Sequence, residues 1–330
     1  MAEITAAFGS SHSIMLAARR EDWIEGFRKS DLRLPYFNRQ GERITFEQVL
    51  AAARADAAPE ITTERISTRF DEVQAAMAEM KRRVEAAPID VLVIVGDDQY
   101  ELFHDQHMPA IGIYYGETIR NAKRSPVPPA ELAWYDEARM RRLENDAERH
   151  YACHRPLARA LIEGLVEREF DVAAMASLGA EQYEGHAYSF VHRWYLSDRA
   201  LPIVPIFVNT YNPPNPPTPR RCVNFGRALK AVIESYPEPL RVGVMASGGL
   251  SHFIVEEDLD LQALGVAAHL LGLAGDALRV AVALDAAGGE RADPLGMLQQ
   301  VVEDARLERL RHGQPEAGVE ALGHDSLPQR

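Results

Sequence analysis

The sequence predicts an α/β protein with a mainly parallel central sheet and helices on both faces, in a single large domain. Short β-branched runs alternate with long helical patterns, which is typical of strands joined by crossover helices. With 330 residues, the chain is long enough to bury a large core. These two observations together favour a parallel sheet over a bundle or a sandwich.

The elements follow in chain order from apolar runs bounded by Gly, Asp, Asn or Pro. The predicted strands are residues 4–8, 91–95, 110–114, 172–176, 203–208 and 242–245. The predicted helices are residues 63–86, 129–167 with a break near Pro156, and 220–235. Thr62 and Thr218 precede two of these helices, where a hydroxyl can cap the free backbone N–H groups. Pro219 suits the first helical turn.

The composition narrows the function classes. Hydrophobic residues make up 46% and charged residues 26%, as in ordinary soluble proteins. The net charge of −13 argues against a nucleic-acid partner. Cys153 and Cys222 are too few for a disulfide scaffold and suit a reducing cytosol. The sequence contains neither a signal-peptide pattern nor an apolar run of about 18 residues, so we expect a cytoplasmic protein without a membrane partner.

Two histidine motifs follow the first and the last predicted strand. His12 comes after a glycine and two serines, and His252 comes after Ser247, Gly248 and Gly249. Ligands bind at the carboxyl ends of strands in open α/β sheets, so both ends of the chain are expected to build one site. The two glycines would offer backbone N–H groups to a substrate. A structural histidine and a simple glycine strand cap are the alternatives.

The strand at residues 91–95 also ends in polar residues. Asp97, Asp98 and Gln99 could offer a carboxylate or an amide to a metal ion, or one aspartate could cap a helix. His104 and His107 lie three residues apart and would share a helix face, whereas a loop with solvated histidines is the alternative.

Two further segments have an unusual composition. In residues 185–195, Arg193 could pair with a carboxylate, and Tyr188 or Phe190 could stack on a planar ring. A half-buried amphipathic strand or helix explains that pattern nearly as well. Residues 209–219 contain five prolines and form either a rigid connector or a wall of the cleft.

Phosphate-binding, dinucleotide, nucleophile-elbow and zinc-protease motifs are missing from the sequence. Histidines with carboxyl or amide groups remain as the chemistry-bearing residues. Nitrogen and oxygen ligands of this kind suit Fe(II), with Mn(II) or Zn(II) as alternatives.

Five motifs follow one another along the chain: Gly-Ser-Ser-His12, Gly-Asp-Asp98-Gln99-x-Glu-x-Phe103, Gly-His186-Ala, the proline-rich loop and Ser-Gly-Gly-Leu-Ser-His252. In this order they resemble the class III extradiol ring-cleavage dioxygenases, in particular catalytic β-subunits like that of protocatechuate 4,5-dioxygenase. The resemblance covers residues 3–260. It implies Fe(II)-dependent, O₂-consuming cleavage of a catecholic aromatic acid beside its diol.

The resemblance also implies a role for individual residues. His12 matches the first histidine ligand of a two-histidine, one-carboxylate iron site, and Gln99 stands at the position of the second histidine. His252 matches the acid–base catalyst, and His186 matches a histidine that orients or stabilises bound oxygen. From their own chemistry, Ser247, Gly248 and Gly249 are expected to bind the substrate. A small partner subunit and a homodimer are further expectations.

The last part of the chain departs from the family pattern. Phe253 is the last aromatic residue, and the family's segment with the glutamate ligand is not recognisable after it. We therefore predict an extradiol dioxygenase-like catalytic domain at residues 1–260 and a divergent, aromatic-free segment at 261–330, helical in part and disordered at its end. We also hypothesise that this segment has a separate origin. A non-catalytic metal- or ligand-binding relative and a metal-dependent hydrolase are the alternative functions.

Overall fold

The computed structural model describes residues 1–34, 36–38, 42–53, 57–210 and 212–248. Its largest feature is a six-stranded sheet in the order β1-β10-β4-β9-β5-β8. These strands are β1 Glu3–Ser10, β4 Val91–Gly96, β5 Ile111–Tyr114, β8 Ala173–Met175, β9 Ile203–Val208 and β10 Arg241–Ser247. The predictions for residues 261–330 lie outside the described residues.

The sheet is mostly parallel. Strands β1, β10, β4 and β9 run in the same direction, with Gly9 opposite Ala246 and Ala246 opposite Val95. Strand β5 is antiparallel to β9 and parallel to β8. The carboxyl ends of β1, β10 and β4 therefore meet at one edge of the sheet.

The helices fill the connections between the strands. The α-helices are α1 Ile14–Ala17, α2 Arg28–Asp31, α3 Phe46–Ala52, α4 Ala57–Glu60, α5 Thr63–Ala86, α6 Ala133–Met140, α7 Arg155–Val166, α8 His186–Trp194 and α9 Pro219–Ser235. A π-helical segment, Asp22–Phe27, precedes α2. Thr62 and Thr218 cap α5 and α9 by accepting the N–H groups of Arg65 and Arg221, as predicted.

Both faces of the sheet are covered. Val91 and Val93 pack into a core with Leu157 of α7 and Leu229 of α9. The alternate residues Leu92 and Ile94 pack into a second core with Val84 of α5 and Tyr188 of α8. Because successive strand residues point to opposite faces, a strand buried on both faces reads as a continuous apolar run. The predicted α/β class with a mainly parallel sheet is confirmed.

One predicted helix differs from the structure. Residues 129–167 form α6 and α7, but between them lies strand β7 Arg149–Ala152, which pairs antiparallel with β6 Thr118–Asn121. The helical pattern therefore ends well before Pro156. That proline lies instead in the first turn of α7, where a backbone N–H would have no hydrogen-bond partner within the helix.

The chain divides into two compact units. The first, Met1–Leu34 with Thr45–Ile254, contains the whole six-stranded sheet. The second comprises Pro35–Ile44 and Val255–Arg330. Within the second unit, the structure describes the short antiparallel pair β2 Tyr36–Phe37 and β3 Arg43–Ile44.

Candidate metal centre

Three buried side chains converge at the carboxyl edge of the sheet. His12 follows β1, Asp97 follows β4, and His186 is the first residue of α8. Among the residues that the structure describes, these three form a group whose ligand atoms all lie within 4.8 Å of one another. The cluster therefore combines two imidazoles and one carboxylate from three separate elements.

The distances within the cluster are short. The Nε2 atoms of His12 and His186 are 3.0 Å apart. Asp97 places Oδ1 3.3 Å from Nε2 of His12 and Oδ2 3.7 Å from Nε2 of His186. Two nitrogen ligands at right angles on one metal ion, each at about 2.1 Å, would be about 3 Å apart. The separation of the two imidazole nitrogens thus fits a shared cation.

Glu101 fixes the orientation of His186. One carboxylate oxygen, Oε2, accepts the backbone N–H of His186 at 2.8 Å and lies 2.6 Å from its Nδ1. The other oxygen, Oε1, accepts a hydrogen bond of 2.6 Å from Arg142. Burial alone would raise the pKa of Glu101, but the hydrogen bonds from the side chain and the backbone of His186, together with the charge of Arg142, lower it to about 2.

Ser247 fixes the orientation of His12. The Ser247 hydroxyl donates to the carbonyl oxygen of Ala187 at 2.7 Å, so its proton is already used. Its oxygen lies 3.1 Å from Nδ1 of His12 and is left to accept a proton from that nitrogen. His12 is thus held with the proton on Nδ1.

These hydrogen bonds decide which atoms face the centre of the cluster. A carboxylate can only accept, so Glu101 places the proton of His186 on Nδ1, as Ser247 does for His12. Both Nε2 atoms then present lone pairs towards the carboxylate of Asp97. Positive charge stabilises electron-pair donors that converge in a buried site, and this donor set suits a divalent metal.

Gln99 is the residue that the sequence motif predicts as the second ligand, and this role stays a prediction. The Gln99 side chain is exposed, whereas the preceding Asp97 and Asp98 are buried. Asp98 accepts the N–H groups of Leu102 and Phe103, at 2.9 and 3.2 Å, and so caps a turn. Of the two aspartates, Asp97 therefore lies in the cluster and Asp98 caps the turn.

Two residues expected to bind substrate make other contacts. Arg193 forms an ion pair with Glu144 at 3.1 Å. Tyr188 is completely buried, and its hydroxyl donates to the carbonyl of Ile206 at 2.6 Å. Both lie on α8, so this segment is a helix, but it is buried at every position from His186 to His192 and is not the half-buried amphipathic element given as the alternative. The structure gives neither side chain a contact in the cluster, and their substrate-binding role stays a prediction.

The second histidine motif is only partly described. Ser247 contacts His12, and a Cβ built on Gly248 would lie 3.8 Å from Cε1 of His12 and 4.0 Å from Oδ1 of Asp97. The backbone of Gly248 therefore borders the cluster. Gly249 and His252 lie outside the described residues, and their expected roles stay predictions.

The proline-rich loop borders a cavity at the same edge of the sheet. The cavity has a volume of about 830 Å³ and is lined by residues between Tyr100 and Pro109, by Ala173, and by Pro213, Pro214 and Asn215. The side-chain amide of Asn215 donates to the carbonyl of Met108 at 2.8 Å and so joins the two walls. This position favours the cleft-wall interpretation over a plain connector.

Sequence reasoning missed Glu101 and Arg142. Glu101 lies within the second motif, three residues after Asp98, but the spacing alone does not reveal that it contacts a histidine 85 residues later. Within the described part of the chain, no helix combines the length and the apolar character that a membrane span requires.

Comparison with known proteins identifies related chains. The family described as "Catalytic LigB subunit of aromatic ring-opening dioxygenase" matches residues 61–326. This range includes Asp97, Glu101 and His186. It also extends through the aromatic-free segment, so the match gives no support to a separate origin for residues 261–330.

Curated relatives carry dioxygenase names. A gallate dioxygenase of Pseudomonas putida is 37% identical over 101 residues, which are 30% of this chain and 28% of that protein. Two proteins named 2,3-dihydroxyphenylpropionate/2,3-dihydroxicinnamic acid 1,2-dioxygenase also match. The one from Comamonas testosteroni is 26% identical over 54% of this chain and 48% of its own length. The one from Mycobacterium ulcerans is 27% identical over 56% and 50%. The chain thus spans half or less of the length of these relatives.

Proposed function

Since the chain belongs to the family of catalytic LigB subunits of aromatic ring-opening dioxygenases, we propose that it opens the ring of a catecholic aromatic acid beside the diol, with Fe(II) and O₂. The metal would be held by His12, Asp97 and His186, so His186 would be a ligand here and not the oxygen-orienting residue that the resemblance implies. One observation carries this proposal: two imidazole Nε2 atoms and one carboxylate meet in a buried cluster, with both Nδ1 atoms already engaged.

The donor set is the reason for proposing iron. Two histidines and one carboxylate that leave further positions open are the ligands of non-haem Fe(II) oxygenases. Thiolates, which would favour zinc or an iron–sulfur cluster, do not contribute to this cluster. When bound, Fe(II) would supply open positions for both hydroxyls of a catechol and for O₂.

The chain's own residues prepare this chemistry. Ser247 and Glu101 keep the two imidazoles in the tautomer that binds a metal, so no rearrangement is needed when the metal enters. The backbone of Gly248 leaves space next to His12 and Asp97 on the side of β10. His252, four residues further along the chain, is the residue that we propose removes a hydroxyl proton from the substrate and returns one later.

The overall reaction balances without a further reductant. Both atoms of O₂ enter the product, the ring carbon–carbon bond next to the diol breaks, and the substrate supplies the electrons. Because curated relatives are named for gallate and for dihydroxyphenylpropionate, both compounds are suitable first substrates.

The test begins with the metal. Apo protein is titrated with Fe(II) without oxygen, and His12→Ala and Asp97→Asn are compared with Gln99→Ala as the matched control. We expect the first two variants to lose metal binding and Gln99→Ala to keep it, because the Gln99 side chain is exposed. Loss of binding in Gln99→Ala alone would instead support the ligand set that the sequence motif implies.

The second step measures the reaction. O₂ uptake is followed with gallate, 2,3-dihydroxyphenylpropionate and protocatechuate, and ¹⁸O₂ shows whether both oxygen atoms enter the product. Metal binding without O₂ uptake would favour the non-catalytic relative. Ester or amide cleavage without O₂ would favour the hydrolase.

A further inference from the structure

A chain of three residues leads away from the candidate metal centre. His186 contacts Glu101, and Glu101 contacts Arg142. Arg142 and Glu101 are 41 residues apart, and Glu101 and His186 are 85 residues apart, so the tertiary fold brings these three groups together. Glu101 and Arg142 lie on the Nδ1 side of the His186 ring, whereas His12 and Asp97 lie near its Nε2 atom.

The Glu101 carboxylate is held on both sides. Its Oε2 accepts the backbone N–H of His186 at 2.8 Å and faces Nδ1 of the same residue at 2.6 Å. Its Oε1 accepts from the guanidinium of Arg142 at 2.6 Å, and this ion pair is largely buried. Every one of these contacts uses the carboxylate as an acceptor, so Nδ1 of His186 must carry the proton.

The backbone before His186 is adapted to this contact. Gly185 has a φ of +76°, a conformation that side chains disfavour. A Cβ at Gly185 would also lie only 3.1 Å from Oε2 of Glu101. Glycine at this position therefore lets the carboxylate reach the first N–H group of α8.

We propose that Glu101, clamped by Arg142, is a positioning residue that holds His186 with its Nε2 lone pair directed at the metal. It acts through His186 and does not touch substrate or metal. The inference rests on the proposed metal site. A carboxylate behind a ligating histidine fixes the ring and increases its basicity, and such outer partners strongly affect metal affinity.

The decisive variant is Glu101→Gln. An amide has one oxygen and one NH₂ group, so it cannot accept from His186 and from Arg142 at the same time. If its oxygen faces His186, the NH₂ group opposes the guanidinium; if it flips, the NH₂ group opposes Nδ1 and favours the other tautomer. We expect the affinity for Fe(II) or Zn(II) to fall by about 10- to 100-fold.

Glu184→Gln provides a matched control. Glu184 is also a buried carboxylate 2.6 Å from Nδ1 of a histidine of α8, but that histidine is His192, which is not part of the cluster. Both variants remove one buried carboxylate–histidine contact, and both are expected to lower the unfolding midpoint. We expect metal affinity to change only in Glu101→Gln. Glu101→Asp should restore part of the affinity.

A second readout does not depend on bound metal. The ¹⁵N chemical shifts of the His186 ring in the apo protein report which nitrogen carries the proton. We expect the Nδ1–H form in the wild-type protein and a mixture of tautomers in Glu101→Gln. If Glu101→Gln does not fold, Arg142→Gln removes the clamp from the far oxygen and should show a smaller shift in the same direction.

The outcomes separate the two proposals. If the wild-type protein binds no divalent metal, both the proposed function and the role of Glu101 in metal binding are overturned. If the wild-type protein binds metal and Glu101→Gln binds it equally well with unchanged ring shifts, only the positioning role fails. Equal losses of affinity in Glu101→Gln and Glu184→Gln would also overturn it, because they would show a general effect on stability.

Discussion

Gly96 is the residue where a single methyl group should disturb the candidate site most directly. It ends β4 immediately before Asp97, and it packs against Ala187, the residue immediately after His186. A Cβ built on Gly96 would lie 2.6 Å from the Cβ of Ala187. Carbon atoms in contact are normally about 3.5–4.0 Å apart, so Gly96→Ala must separate β4 from α8 by about 1 Å.

That displacement acts on two ligands together. Asp97 directly follows Gly96 in the chain, and His186 directly precedes Ala187, so a shift of β4 from α8 moves both side chains. A functional site tolerates shifts of only about 0.5 Å. Overpacking of this kind costs about 1–3 kcal/mol of unfolding free energy. We therefore expect Gly96→Ala to be less stable by about this amount and to bind Fe(II) or Zn(II) about 10-fold more weakly or worse.

The measurements are urea unfolding of the apo protein and metal titration of the folded protein. The double variant Gly96→Ala, Ala187→Gly is the control, because it moves the methyl group from the helix to the strand. It should regain metal affinity and most of the stability, apart from up to about 1 kcal/mol for a glycine within a helix. Wild-type affinity in Gly96→Ala, or no recovery in the double variant, would refute the reasoning.

Two further changes test contacts away from the centre. The hydrogen bonds from Arg241 lower the pKa of Asp90 to about 2, compared with about 3.9 in an unfolded chain. The ionised carboxylate therefore stabilises the fold fully above about pH 3.9, and this contribution is lost as the pH falls through about 2. Because the pair is partly exposed, Asp90→Asn should lower the free energy of unfolding by about 0.2–1 kcal/mol at pH 7. Urea unfolding of both proteins should show that this difference disappears in acid. A difference in unfolding free energy that does not change with pH would contradict the role of Asp90. Tyr188→Phe removes the hydrogen bond to the Ile206 carbonyl and should cost about 0.5–1.5 kcal/mol without changing KM for the aromatic substrate. A raised KM would instead support the sequence-based prediction that Tyr188 stacks on the substrate ring.

The six strands of the central sheet and the long helices α5 and α9 could be predicted because their signals are local. Apolar runs such as residues 91–95 report burial on both faces, and threonine caps such as Thr62 mark a helix start by direct hydrogen bonding to the next turn. Strand β7 was missed because its four residues, Arg149–Ala152, are mostly exposed and lack an apolar alternation. Its pairing with β6 depends on a partner about 30 residues away, which no local pattern records.

The site was predicted only in part for the same reason. His12 and the carboxyl edge of the sheet follow from strand ends, but the choice among Asp97, Asp98 and Gln99 depends on how the chain turns after β4. Asp98 accepts two backbone N–H groups four and five residues further on, and this turn leaves Gln99 exposed. A motif aligned by spacing alone cannot detect such a turn.

The strand order explains why a serine–glycine pair stands between the ligands. His12 and Asp97 follow β1 and β4, which are not neighbours, because β10 lies between them. Adjacent strands are about 4.8 Å apart, so the two ligands start about 10 Å apart and can meet only above the end of β10. Gly248 stands at that point, since a Cβ built on it would lie in van der Waals contact with both His12 and Asp97. Ser247 then supplies the one polar atom that the geometry requires, the acceptor for Nδ1 of His12. The second histidine motif is therefore tied to the first through the architecture of the sheet, because Ser247 and Gly248 stand where the residues that follow the strands on either side converge.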